Sequence, residues 1–284
     1  MKIFVAGSTG VIGQRLLPRL VQAGHKVIGM THDPQRKGLI ESWGAKGIIA
    51  DAFDREGIIA SIGEVRPDVI IHQLTSLSQW NLEDNARMRM EGTRHLVEAA
   101  QIHGVKRMIA QSIAWAYEPG DHPATEDVPL DVQAPAPRKS TIDGIISLEQ
   151  AVAQLPNHVI LRYGMFYGPG TWYDASGIMA EKVRTRTLPA TDGVMSFLHV
   201  EDAANAALQA LDWPTGPVNI VDDEPAAGTL WLPLYAEALH APAPAYQAGS
   251  KRGERGASNA KARKEYGWQP LHPTWRTGFA QSLR

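Results

Sequence analysis

Through the first 163 residues, short apolar runs alternate with longer stretches whose apolar positions recur every three or four residues. The runs Lys2–Ala6, Lys26–Thr31, Lys46–Ala50, Asp68–His72, Arg107–Ala110 and His158–Tyr163 predict strands. The stretches Ile12–Ala23, Pro34–Trp43, Asp54–Val65, Asn85–His103 and Ile142–Gln154 predict helices between them. This alternation argues for a parallel sheet with helices on both faces. Gly24 and Gly104 stand where helix C-caps belong. Pro18 falls inside the first helix, where a missing N–H and a ring clash predict a kink.

Beyond Tyr163 the alternation stops, and Gly168-Pro169-Gly170 opens a stretch of short mixed elements. Helices are expected near Ala175–Thr185, from Asp202 to Leu211 with Asp202 as N-cap, and over Leu230–His240. Ser196–Val200 and Val218–Val221 read as extended. Residues 241–256 combine Pro, Gly and charge, the composition of a mobile connection. Ser258 or Asn259 is expected to cap a last short helix ended by Gly267 and Pro270.

The strongest local signal lies between the first strand and the first helix, in Gly7-Ser8-Thr9-Gly10-Val11-Ile12-Gly13. Gly7 permits a tight turn, Gly10 lets the backbone approach phosphates with no Cβ in the way, and Gly13 lets the helix pack close to the sheet. The flanking strand and helix make this a cradle whose N–H groups face a pyrophosphate. The fold class is therefore α/β, a Rossmann-type doubly wound parallel sheet with helices on both faces and a small C-terminal substrate-binding subdomain. Residues 1–163 read as the dinucleotide-binding domain. Residues 164–284 read as a small mixed α/β region, parts of which return to the main domain.

Composition narrows the partners. A formal net charge of −2 offers no footprint for nucleic acid or lipid, and no apolar run approaches the ~20 residues of a membrane span. The absence of cysteine excludes disulfides, thiolate catalysis and thiolate metal sites. The first strand begins after a single residue, which leaves no room for a signal peptide, and a cytoplasmic location is expected. The ten histidines show no metal-ligand spacing, so no metal is expected. A small-molecule substrate is the expected partner, with the protein a monomer or homodimer.

Several further motifs occur with the glycine loop: Asp51-Ala52, Glu91-Gly92-Thr93, Ser112, Arg162-Tyr163, Tyr167-Gly168-Pro169-Gly170, His199-Val200-Glu201-Asp202 and Tyr266-Gly267-Trp268-Gln269-Pro270. Together they resemble the atypical and extended short-chain dehydrogenase/reductases, the NAD-dependent epimerase/dehydratase family, over nearly the whole chain. The resemblance implies that Asp51 and Ala52 contact adenine, that Leu74 and Thr75 lie along the ribose and phosphates, and that Tyr163 to Met165 face the nicotinamide carboxamide. At the end of the second strand, Thr31-His32 replaces the acidic residue that would accept a ribose 2′-OH, and Arg36 with Lys37 offers charge for a 2′-phosphate. NADP(H) is the preferred cofactor, with NAD(H) as the second choice.

One departure bears on mechanism. Typical members carry Tyr-x-x-x-Lys on the helix after the fifth strand, where Lys and the nicotinamide charge lower the Tyr pKa from ~10. Registering Glu149 on the glutamate usual in that helix puts Thr141 and Ile145 at those positions. Ser112, Tyr117 and Thr141 are the remaining hydroxyls assigned to catalysis, with Ser112 and Tyr117 expected to polarise the substrate carbonyl. Trp80, Trp115, Tyr167 and Trp172 are expected to wall an apolar substrate. The reading that follows is an NADPH-dependent oxidoreductase transferring hydride to a carbonyl or related C=X bond of a hydrophobic small molecule. The alternatives are a nucleotide-sugar epimerase or dehydratase, which the missing pair disfavours, and a non-catalytic NAD(P)-binding sensor.

Overall fold

The computed structural model describes residues 1–76 and 82–283. Its strands are β1 (Lys2–Ala6), β2 (Lys26–Thr31), β3 (Lys46–Ile49), β4 (Val69–His72), β5 (Arg107–Ile113), β6 (Asn157–Tyr163), β7 (Met165–Tyr167), β8 (Val194–Met195), β9 (Phe197–His199), β10 (Gly216–Ile220) and β11 (Ala226–Ala227). Its helices are α1 (Gly13–Gln22), α2 (Lys37–Ser42), α3 (Arg55–Val65), α4 (Leu82–Arg87), α5 (Thr93–Ile102), α6 (Arg138–Val152), α7 (Ile178–Arg184), α8 (Val200–Gln209), α9 (Gly228–Ala238), α10 (Ala260–Tyr266) and α11 (Trp275–Ser282). None is long and apolar enough to cross a membrane.

Seven strands form one sheet in the order β10-β6-β5-β4-β1-β2-β3. β1 pairs in parallel with β2, Lys2 opposite Lys26, and with β4, Ile3 opposite Val69. Strand order reverses between β1 and β4, and the crevice beyond their carboxyl ends is where open α/β sheets bind ligands. Ile3 to Ala6 are fully buried, as a parallel strand covered on both faces requires.

The chain divides into two compact units, each drawn from three segments: Met1–Ser112, Val132–Leu161 and Ala204–Pro217 form the first, and Ile113–Asp131, Arg162–Ala203 and Val218–Arg284 the second. In the first, Ile58 and Ile62 of α3, Leu96 and Val97 of α5 and Leu148 of α6 cover Phe4, Ile70 and Met108 of the sheet. Full burial of each such side chain contributes about 1.5–3 kcal/mol. In the second, Tyr167, Tyr173, Phe197, Trp231, Tyr235, Trp275 and Phe279 build an aromatic core whose neighbouring rings meet mostly edge to face.

Several local expectations are corrected by tertiary contacts. Helix α1 runs unbroken through Pro18, which is exposed. The helix expected over Asn85–His103 is interrupted by a π-turn, Met88–Gly92, between α4 and α5. Asp202 is not an N-cap: α8 begins at Val200, and the Asp202 carboxylate accepts the N–H groups of Leu271 (2.6 Å) and His272 (2.9 Å). The Asn259 side chain donates to the Val221 carbonyl and the Asp223 carboxylate instead of capping α10. Residues 241–256 are stapled rather than loose, because Ala190, Asp192, Asp131 and the carbonyls of Glu118 and His122 all hold them by hydrogen bonds.

Candidate cofactor and active site

Each glycine of the first loop answers to a different constraint. Gly7 has φ +91°, and a Cβ there would lie 2.6 Å from the Gln73 carbonyl oxygen. A Cβ on Gly13 would strike the backbone of Gly7 and Ser8. Both glycines are required by the fold itself. Gly10 differs: its Cβ would meet only the Gly7 carbonyl oxygen, at 3.3 Å, with open space beyond. One tight contact thus stands in the way of a side chain there, far fewer than at Gly7 or Gly13, and the bare backbone fits a ligand lying against the loop. Ser8 is fully buried and donates to the Val5 carbonyl at 2.7 Å, which fixes the loop's first turn, while Thr9 and Val11 are half-buried and Ile12 is buried.

The loops after β2, β3 and β4 surround this cradle in the sheet order. Thr31 is buried and accepts the Asp33 N–H, whereas His32 is exposed. Arg36 is 56% exposed and lies 3.5 Å from Asp33, an ion pair weakened by solvent. Asp33 also accepts the Gln35 N–H. Asp51 accepts the Phe53 N–H, and buried Ala52 offers its carbonyl to His95. After β4, the half-buried Leu74 donates its N–H to His72 Nδ1, while Thr75 is exposed and Trp80 lies outside the described residues. His72 Nε2 meets Thr93 Oγ1 at 2.8 Å, and burial, with the Arg89 charge in second place, pushes the imidazole down to about 4. Two side chains here escaped sequence reasoning. Gln73 is buried with no hydrogen bond to either carboxamide atom, and Arg89, on the π-turn, is 4% exposed. An arginine amid Arg87, Arg89 and Arg94 reads as a solvated helix face, and nothing in the sequence marks it as buried.

The catalytic hydroxyls are placed differently from expectation. Ser112 is fully buried and donates to Glu149 of α6 at 2.6 Å, so its proton is committed inside the protein. Tyr117 is buried, it donates to Asn219 at 2.5 Å, it accepts from Arg162 at 3.0 Å, and the Arg162 guanidinium lies over its ring. Burial pushes its phenol up to about 12, the wrong direction for an acid near neutrality. Its partner Asn219 also donates to the carbonyls of Ala124 and Ser258, a fully satisfied knot that explains the burial. Thr141 is half-buried on α6. That helix contains no tyrosine, and its one lysine, Lys139, pairs with Asp143 at 2.9 Å.

In the second unit Tyr163 is buried and donates to the Ala203 carbonyl, Ala114 donates to the Tyr163 carbonyl, and Met165 donates to Ser196. Tyr167, expected to wall the substrate, is fully buried in the aromatic core, where it packs edge to face on Phe279 and His199, and burial raises its phenol. Trp115 and Trp172 are half-buried. His199, Asp202 and His272 bring ligand atoms within 4.8 Å of one another. Both Asp202 oxygens and His199 Nδ1 there accept backbone N–H groups, which fastens the segment around His272.

Comparison with known proteins supplies the family. The model of the NAD dependent epimerase/dehydratase family matches residues 3–221. The 3-diazoavenalumate denitrifying reductase of a Streptomyces species is 40% identical, covering 99% of this chain and 100% of its own. A 2-alkyl-3-oxoalkanoate reductase of Stenotrophomonas maltophilia is 28% identical over 60% of this chain and 52% of its own. The crystal structure of the UDP-glucose 4-epimerase of Thermus thermophilus in complex with NAD superposes with a TM-score of 0.78 at 26% identity, covering 99% and 97% of the two chains. With a glycine loop at the reversal of strand order and a match over most of its length, this chain belongs to the NAD dependent epimerase/dehydratase family, NAD(P)-dependent enzymes of the short-chain dehydrogenase/reductase type.

Proposed function

We propose that this chain is an NADPH-dependent reductase that replaces the diazo group of an aromatic acid by hydrogen. The observation that carries the reading is that, of the hydroxyls expected to serve catalysis, Ser112 is committed to a buried partner and the Tyr117 phenol is pushed away from neutrality. Helix α6 has Thr141 and Ile145 in place of the tyrosine and lysine, Ser112 is committed to Glu149, and the Tyr117 phenol is pushed up to about 12. A carbonyl that accepts hydride becomes an alkoxide and needs a proton as well. An aryl diazonium that accepts hydride gives the arene and N2 with charge already balanced, so the protein need supply no acid. A reduced nicotinamide, when bound, supplies that hydride. Full-length likeness to a denitrifying reductase supports the same chemistry.

The chain's own residues then act by holding and orienting. The amides from Ser8 to Gly13 hold the pyrophosphate, Asp51 and Ala52 the adenine, and Leu74 and Thr75 the ribose. Thr31 and His32 leave no carboxylate to repel a 2′-phosphate, and the exposed Arg36 attracts one, which favours NADPH. Trp115 and Trp172 offer aromatic faces to the substrate. Purified protein supplied with an aryl diazonium acid is expected to release N2 and form the arene with NADPH, and more slowly with NADH. Reduction of ketones without N2 release overturns the diazo assignment, and a tenfold preference for NADH overturns the cofactor assignment.

A further inference from the structure

The first turn of α5 is tied by hydrogen bonds to both the loop after β3 and the loop after β4. Thr93, its first residue, is fully buried, and its Oγ1 meets His72 Nε2 at 2.8 Å. The other ring nitrogen of His72, Nδ1, accepts the Leu74 N–H at 3.2 Å. A neutral imidazole has one donor and one acceptor, so Nε2 carries the proton and donates to Thr93. Burial keeps the ring neutral, with Arg89 adding to the effect. Thr93 thus fixes the ring, and the ring fixes the main chain that leaves β4.

Two residues further on, His95 is buried as well, and its Nδ1 donates to the Ala52 carbonyl at 2.9 Å. Positions i and i+2 lie on different sides of a helix. One turn of α5 therefore reaches the loop after β4 with Thr93 and the loop after β3 with His95. Gly92 permits the close approach, since a Cβ there would lie 3.4 Å from the Ala52 Cβ and 2.8 Å from Met88 Sδ. The π-turn Met88–Gly92 ends where Thr93 begins, and its extra residue rotates the helix by about 100°, which sets the side chains that face each loop.

We propose that Thr93, His72 and His95 are positioning residues, a two-pronged clamp that holds the main chain at Ala52 and Leu74 in the shape that accepts the adenosine half of the dinucleotide. This rests on the cofactor role proposed above. Both loops are gripped at a backbone atom, so their shape is set before the ligand arrives and binding is spared the cost of ordering them.

The test titrates ADP by calorimetry well below the melting temperature of each protein. Thr93→Val, which keeps the shape and removes the hydroxyl, should bind ADP at least about fivefold more weakly, whereas Thr93→Ser should stay within about twofold of the unaltered chain. His95→Leu should show a similar loss, and His95→Gln, whose amide can still donate to Ala52, should recover part of it. Amide exchange at Leu74 should quicken in Thr93→Val and not in Thr93→Ser. ADP affinity within about twofold of the unaltered chain in either Thr93→Val or His95→Leu overturns that prong, because a residue that only supports the fold lowers the melting temperature and leaves the affinity of the folded protein alone. Equal weakening in Thr93→Val and Thr93→Ser overturns the role of the hydroxyl. If Thr93→Val does not fold, the His95 pair decides by the same titration. Failure of the unaltered protein to bind ADP or NADPH instead removes the cofactor role itself, and the clamp with it.

Discussion

At the scale of single residues, burial rather than residue type decides which groups can take part in chemistry. Tyr117 and Ser112 have the right functional groups at plausible positions in the chain, yet each hydroxyl is committed to a buried partner. Asp222 shows the same effect on a carboxylate. It is 1% exposed, and burial, helped by Asp223 and Glu224, pushes it up to about 8 even though it accepts the N–H groups of Trp275 and Glu224. Its folded value lies above its unfolded one, so between roughly pH 4 and 8 the unfolded chain ionises while the native state keeps its proton. This group therefore lowers stability as pH rises through that window and adds no further change above it. Denaturant melts from pH 5 to 9 should show the decline, and Asp222→Asn should flatten it. Equal slopes in the two proteins would refute the assignment.

At the scale of elements, long-range side-chain anchors override local composition. Residues 241–256 have the Pro, Gly and charge content of a linker, but Arg252 grips the fully buried Asp131 with two bonds of 2.8 and 2.7 Å. Removing the arginine takes two charged hydrogen bonds from a buried carboxylate. Arg252→Met should thus destabilise the protein by about 3–5 kcal/mol in urea unfolding, and adding Asp131→Leu should restore most of the loss. A loss below about 1 kcal/mol in Arg252→Met would show the segment to be as loose as its composition suggests. The π-turn has the same origin. Apolar periodicity reports that a helix covers Asn85 to His103, but not that one extra residue is accommodated at Met88–Gly92.

At the scale of the whole molecule, the glycine loop separates folding from binding. Gly7 and Gly13 are fixed by backbone collisions, whereas a Cβ on Gly10 would meet a single atom, the Gly7 carbonyl oxygen at 3.3 Å. Gly10→Ala should change the stability of the free protein by less than about 0.5 kcal/mol. The unaltered protein should gain about 2.7 kcal/mol with NADPH at a hundredfold excess over its Kd, and Gly10→Ala should lose most of that gain. Thermal melts with and without NADPH read both quantities. A full shift in Gly10→Ala would mean that nothing lies against that backbone. The second unit contributes its own rigid aromatic core, in which Tyr167, Phe197, Trp231 and Phe279 interlock.

The sequence by itself determined the parallel sheet, the order of its strands and helices up to Tyr163 and the glycine loop. These are local or periodic signals, written in the residues that carry them. Only the tertiary structure decided that Ser112 and Tyr117 are held by Glu149, Asn219 and Arg162, that Tyr167 belongs to a core, that Asp202 fastens Leu271 and His272, and that Arg89 is buried. The physical reason is that hydrogen-bond partners and desolvation depend on neighbours distant in the chain. Periodicity reports which face of an element is apolar, but not what that face meets.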